Sequence, residues 1–204
     1  MDGKKVLIAE EDRDFAAAME RAFGKRGCTV DKVYDGVQAL NAFGETEYDL
    51  FVCDGRLSRF SGENAIAEYA ARYDSPVIYL PESGFVGVGA FADNFGFAAI
   101  LFRPFTESDL IRAAEKCFSA REREDVAYGN VVLSFKTGKI FSEIGEERIT
   151  LTEAELFEKT VAGEKTDEKG YGFTTIYSAA LALDRKLEKI GSDLHVKNGI
   201  GQRS

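Results

Sequence analysis

DLFVCDGRLSRFSG, residues 49–62, sets an apolar run, LFVC, directly before an aspartate and a glycine. The run is apolar at every position, the pattern of a strand covered on both faces. Asp54 therefore stands at the mouth of a buried strand, half desolvated, where the chain turns. A carboxylate so placed is a reactive group, a metal ligand or an ordinary turn residue, and the surrounding sequence bears on the choice.

Working outward, similar runs recur at VLIA (6–9), PVIYL (76–80) and AAILF (98–102), with a weaker TVDKV at 29–33. Between them apolar residues return at helical spacing: Phe15, Met19, Ala22 and Phe23, then Val37, Leu40 and Phe43. Ile66, Tyr69 and Ala70 make a third stripe, and Leu110, Ile111 and Ala114 another. Strand then helix, five times over, predicts an α/β unit with a parallel sheet and helices on both faces. Ligands on such sheets bind at the carboxyl ends of the strands. Asp54 stands at one such end, and Glu10 and Glu11 at another. SGFVGVGAFADNFG (83–96) is the expected fourth helix, poor in propensity because it holds four glycines. Its phenylalanines and valines form a stripe that either packs on the sheet or makes a contact surface.

SARERED (119–125) reads as a charged linker, after which the texture changes. NVVLSFKTGKIFSEIGEERITL alternates apolar and polar residues, with turns at Thr137–Gly138 and Gly145–Glu146, and predicts an antiparallel meander. LTEAELFEKTVAG follows as a helix with Thr152 as N-cap and Glu155 three residues on. TTIYSAALALDRKLEKI is a second helix, and LHVKNGIGQR a strand with a glycine turn. The expected organisation is thus 1–118, a linker 119–125, and a smaller α+β unit 126–204.

Composition excludes several classes. With 204 residues and 45% apolar content the chain can fill one large core or two small ones. No apolar run approaches the roughly 20 residues of a membrane span, and the start, MDGKKVLIAEED, lacks a signal-peptide pattern. Cys28, Cys53 and Cys117 have no metal-ligand spacing and read as buried thiols of a reducing cytoplasm. One histidine, His195, rules out most histidine-based catalysis and multi-histidine metal sites. Residues 1–118 hold 13 basic against 20 acidic residues, and 126–204 hold 11 against 12, so neither part binds a polyanion by charge alone.

Three carboxylates at adjacent strand ends form an oxygen-rich pocket suited to Mg²⁺. Such an ion would let an aspartate take a phosphoryl group by neutralising its oxygens. Here the chain resembles a known family. VLIAEED, DLFVCDGRLSRFSG, PVIYL and FRPF occur in the order and spacing of the receiver domain of two-component response regulators. RITLTEAE, TIYSAALALDRKLEKIG and NGIGQR resemble the winged-helix effector domain of the OmpR/PhoB type. The resemblance implies a flavodoxin-like five-stranded receiver followed by a winged-helix-like domain. It puts Asp54 at the phosphoacceptor position and makes Glu10, Glu11 and Asp54 the Mg²⁺ set. It also implies a cytoplasmic transcription regulator rather than an enzyme. Such a protein answers to a sensor kinase or other regulatory protein, forms a homodimer through the 85–118 region and binds DNA.

Departures from the family pattern redirect that expectation. Pro81 stands where the family has a hydroxyl residue, and offers neither O–H nor N–H. Arg103 replaces the lysine before proline, a planar fork in place of a point charge. Ile100 replaces the aromatic switch residue, and Glu11 is one methylene longer than the usual aspartate. Together they predict a broken or rewired phosphorylation switch and count against Mg²⁺. Arg103–Pro104 is expected to be cis, as in the family. Arg103 or Arg56 is the cation that would pair with Asp54 in place of the metal, against a plainer reading of Arg56 as a solvated loop residue. In the second unit the helix matching the base-reading element presents Tyr177, Ala179, Leu181, Ala182 and Asp184, none suited to bidentate base contacts. Arg185, Lys186, Lys189, Lys197, Asn198 and Arg203 remain as DNA-contact candidates, enough for weak, salt-dependent binding. EKTDEKGYGF is too short for the family's further helix, so the face of Ile176, Ala180, Leu183 and Leu187 needs another cover. The expectation is an atypical response-regulator-like regulator with weak or lost DNA binding or, alternatively, an adaptor acting through protein contacts.

Overall fold

A computed structural model describes residues 1–82, 98–163, 173–194 and 196, with the backbone alone for 98 and 173–178. The expected helix over 83–96, the loop 164–172, His195 and the tail from 197 onward lie outside the described residues.

Five strands, β1 (Lys5–Ala9), β2 (Thr29–Val33), β3 (Leu50–Asp54), β4 (Val77–Leu80) and β5 (Ala98–Ile100), pair in the order β2-β1-β3-β4-β5, all parallel. Around them lie α1 (Arg13–Gly24), α2 (Gly36–Glu45), α3 (Gly62–Arg72) and α4 (Glu107–Arg121). This is the parallel α/β sheet that the apolar runs predict, in the flavodoxin-like form that the resemblance implies. Alternation along β1, β3 and β4 explains why those runs are apolar. Val6, Ile8, Leu50, Val52, Ile78 and Leu80 pack with Met19 and Phe23 of α1 and Leu110 and Ile111 of α4. Leu7, Phe51, Cys53, Val77 and Tyr79 pack on the other face with Phe43 of α2 and Ile66 and Tyr69 of α3. Each such fully buried large side chain contributes about 1.5–3 kcal/mol.

The second part holds a four-stranded antiparallel sheet, β6 (Val126–Tyr128), β7 (Val131–Ser134), β8 (Lys139–Phe141) and β9 (Glu146–Arg148), followed by α5 (Leu151–Val161) and α6 (Phe173–Lys189). Val131, Leu133, Ile140, Phe157, Leu183 and Leu187 join the same buried cluster as the α1–α4 face of the first sheet. Ion pairs link the halves as well. Lys116 meets Glu155 at 3.2 Å, and Arg123 bonds Glu158 at 3.0 Å while lying over the Phe135 ring at 3.6 Å. Arg148 donates to the Ala70 carbonyl of α3 at 2.8 Å.

Several expected boundaries shift. The cap of α5 is Thr150 with Glu153, a reciprocal capping box, in place of Thr152 with Glu155. Two overlapping T-x-x-E patterns compete there, and the earlier one buries Leu151 and Glu153. AAILF is strand only to Ile100, and Phe102 is exposed. The turn expected at Gly145–Glu146 lies over 142–145, closed by the Ser142 amide on the Gly145 carbonyl at 2.9 Å, so Glu146 already belongs to β9. Strand β6 was not legible: its turn rests on Gly129, whose φ of 60° a side chain would oppose.

Candidate functional site

The register that pairs Ala9 with Cys53 brings the next residues, Glu10 and Asp54, to adjacent strand ends. Both are buried, at 1% and 2% exposure. The β3–α3 loop closes tightly on this end, because a Cβ on Gly62 would lie 2.0 Å from the Asp54 carbonyl oxygen. The cation comes from beyond β5. Nη2 of Arg103 lies 2.5 Å from Glu10 Oε2 and 2.9 Å from Asp54 Oδ2, bridging the two carboxylates. The guanidinium also lies over the Phe15 ring, 4.5 Å from its centroid. The remaining carboxylate oxygens are used too. Glu10 Oε1 accepts from the Asp12 amide at 3.1 Å, and Asp54 Oδ1 from the Arg56 amide at 3.0 Å. Burial first, then the nearby Asp54, raise the Glu10 carboxyl above its ordinary pKa, with Arg103 opposing them.

The other expected residues fall around this bridge. Glu11 does not join it: its exposed carboxylate accepts from the Ser58 amide instead, a reach the extra methylene permits. This corrects the expected set of Glu10, Glu11 and Asp54, and no group of three metal-ligating side chains forms among the described residues. Pro81, buried, follows the Leu80 that pairs with Asp54, and Ile100 ends β5 beside Tyr79. The Arg103–Pro104 bond is cis. The Arg56 side chain is half exposed, its Nε 3.7 Å from Asp54.

Sequence reasoning missed two features here. Phe15 reads as one more core residue of α1, with nothing local to say that it floors the arginine. Tyr79 looks like strand filling, yet its hydroxyl donates to Glu63 beneath the loop. Burial and that carboxylate raise its pKa and keep it protonated.

The candidate DNA contacts separate. Arg185 is exposed. Lys189 is exposed but faces Glu147 at 3.1 Å. Lys186 is a correction: it is 2% exposed, and its ammonium lies 2.9 Å from both Glu153 oxygens, so it does not reach a phosphate. Ala182 and Asp184, expected on an exposed face, are buried as well. Lys197, Asn198 and Arg203 lie outside the described residues.

A five-stranded parallel sheet with a buried acidic pair and a cation at its carboxyl edge defines a receiver-type domain. The family profile of the response regulator receiver domain matches residues 6–115, more than half of the chain, and the chain belongs to that family, the receiving side of two-component signalling. It is 30% identical over 118 residues to the Regulator of RpoS of Escherichia coli K12, covering 57% of this chain and 34% of that protein. The chain thus spans about a third of the length of the first curated relatives it matches. It is 24% identical over 226 residues to the response regulator MprA of Mycobacterium bovis BCG, covering 97% of this chain and 95% of that one. Among solved structures it is similar to the PA1611 receiver domain of Pseudomonas aeruginosa PAO1, which has a magnesium ion coordinated in its active site cleft. That match has a TM-score of 0.50 at 24% identity, covering 56% of this chain and 96% of the other. A mutant of RitR matches at a TM-score of 0.64 and 17% identity, covering 91% of this chain and 90% of the other. Both structural likenesses show the fold.

The residues present do not fit a resident Mg²⁺. All four oxygens of the buried pair already accept hydrogen bonds, two of them from the cation between them, and the third carboxylate is engaged elsewhere.

Proposed function

We propose that this chain is an atypical response-regulator-like signalling protein that does not use aspartyl phosphorylation as its switch. The observation that carries the reading is the Arg103 bridge between Glu10 and Asp54. An aspartate attacks a phosphoryl donor only with a free oxygen and a cation able to hold the incoming group. Here Asp54 Oδ2 is tied to a guanidinium that Glu10 also holds, and Pro81 supplies no hydroxyl to bind the product. Signalling would then run through protein level, partner binding or domain arrangement rather than catalysis, and the chain is not an enzyme in this reading.

We place 1–118 as the receiver, 119–125 as linker and 126–204 as the reduced effector of an OmpR/PhoB-like transcription regulator with weakened DNA contact. A homodimer through the 85–118 region, and a sensor kinase or other regulatory protein as partner, belong to the same reading. A second reading, an adaptor that does not bind DNA, is favoured by burial within α6. Ala182, Asp184 and Lys186 face the protein's own interior there, where a base-reading helix presents them to DNA.

Intact-mass measurement after treatment with a small-molecule phosphodonor and Mg²⁺ tests the first point. No adduct is expected; a single phosphoryl adduct that disappears in Asp54→Asn would refute it. Titration with genomic DNA fragments across salt concentrations separates the two readings, since a regulator retains binding that tightens as salt falls and an adaptor shows none.

A further inference from the structure

We infer that the Arg103 guanidinium occupies the divalent-cation position of the pocket, so that this chain excludes Mg²⁺ while Arg103 is in place. The inference rests on the reading above and deepens it by naming what fills the site.

Its basis is one nitrogen in one place. Nη2 lies between Glu10 Oε2 and Asp54 Oδ2, at 2.5 and 2.9 Å. A Mg²⁺ bridging the same oxygens would hold each at roughly 2.0–2.1 Å, and so would need the volume that Nη2 fills. The two cations are mutually exclusive. Arginine suits the position because its planar fork bonds two carboxylates at once. Phe15 supports its flat face, and its departure would remove the cation that bridges two buried carboxylates. Nε of Arg103 is buried without a hydrogen-bond partner among the described residues, so the fork is held by its Nη2 end and the ring beneath it. One oxygen of Glu11 is engaged by the Ser58 amide. Without Arg103, Glu10 and Asp54 would carry the charge that one divalent cation balances.

The consequence is a latent site that a single substitution should open. Mn²⁺ is the probe, its free concentration read by electron paramagnetic resonance in the presence of the full chain. The wild type is expected to show no stoichiometric site. Arg103→Ala should gain one stoichiometric site that the wild type lacks, competed by Mg²⁺ and lost in Arg103→Ala/Asp54→Asn. Arg103→Lys keeps a cation, protects the fold if the alanine variant is unstable, and should show a smaller gain. Two results overturn the inference: one Mn²⁺ bound by the wild type as tightly as by the variants, or no binding by either folded variant. The phosphodonor experiment fails separately. An Asp54 adduct without Mn²⁺ binding would sink the proposed function alone, and tight wild-type Mn²⁺ binding without an adduct would sink this inference alone.

Discussion

The chain buries charge in both halves, and the two clusters differ in their access to water. Between α5 and α6, Lys186 meets both oxygens of Glu153 at 2.9 Å, and the Thr150 amide donates to the same carboxylate at 2.6 Å. The ammonium and the carboxylate face each other directly, with side chains 3% and 2% exposed. At the carboxyl edge of the parallel sheet, the Arg103 guanidinium bridges two buried carboxylates, is 22% exposed, and leaves Nε without an acceptor among the described residues, while a second, half-exposed arginine, Arg56, stands 3.7 Å from Asp54. A fully buried, capped ion pair holds two helices together and is closed to solvent. A cluster open to solvent on one side has the makings of a site.

The largest expected effect lies in the fully buried pair. Lys186→Met strands the Glu153 carboxylate among buried groups, and breaking a buried pair in this way costs about 3–5 kcal/mol. The urea midpoint should fall accordingly, while Lys186→Met/Glu153→Gln, which removes both charges and keeps a capping acceptor, should recover most of the loss. Arg103→Ala should cost less, because its pocket is partly reached by water. If Arg103→Ala proved the more damaging variant, the distinction between staple and site would be reversed.

A second difference shows in pH dependence. The raised pKa of Glu10 means that the folded chain holds this proton more tightly than the unfolded chain does. Its contribution to stability is therefore fully present below the ordinary value of 4.5, falls as pH rises through the raised folded value, and is flat above it. Urea unfolding at closely spaced pH values should show Glu10→Gln gaining on the wild type across that window. In Arg103→Ala the window should extend to higher pH, because the opposing cation is gone. A constant difference between Glu10→Gln and wild type at every pH would show that Glu10 does not titrate this way.

The fold was legible because parallel strands covered on both faces must be apolar at every position, which LFVC and VLIA satisfy. The strand ends followed from the same runs, and with them Glu10 and Asp54. What the sequence could not supply was direction. Glu11 and Glu10 are neighbours of one type, yet one turns inward and the other to the Ser58 amide, a choice made by the 55–62 loop packing nearby. Lys186 was misread for a related reason. Its register on α6 was assigned from a DNA-facing pattern, whereas the acid that draws it inward, Glu153, belongs to another helix and another cap. The α5 boundary moved with it, since the capping box that seats Glu153 is the one starting at Thr150.

The smallest expected effect compares two arginines on the same aspartate. Arg103 reaches Asp54 Oδ2 at 2.9 Å from a mostly buried position, whereas the Arg56 side chain stands at 3.7 Å and is 52% exposed. What Arg56 firmly gives Asp54 is its backbone amide, at 3.0 Å to Oδ1, and that bond survives any side-chain change. With the guanidinium half in water and 3.7 Å away, this pair is screened by water and salt and is worth about 0–1 kcal/mol. Arg56→Ala should therefore shift the urea midpoint by no more than this, should lose even that difference at high salt, and should leave the chain as unable to bind Mn²⁺ as the wild type. A larger, salt-insensitive loss, or Mn²⁺ binding gained in Arg56→Ala, would mean that the two arginines share the cation role and that Arg103 alone does not close the pocket.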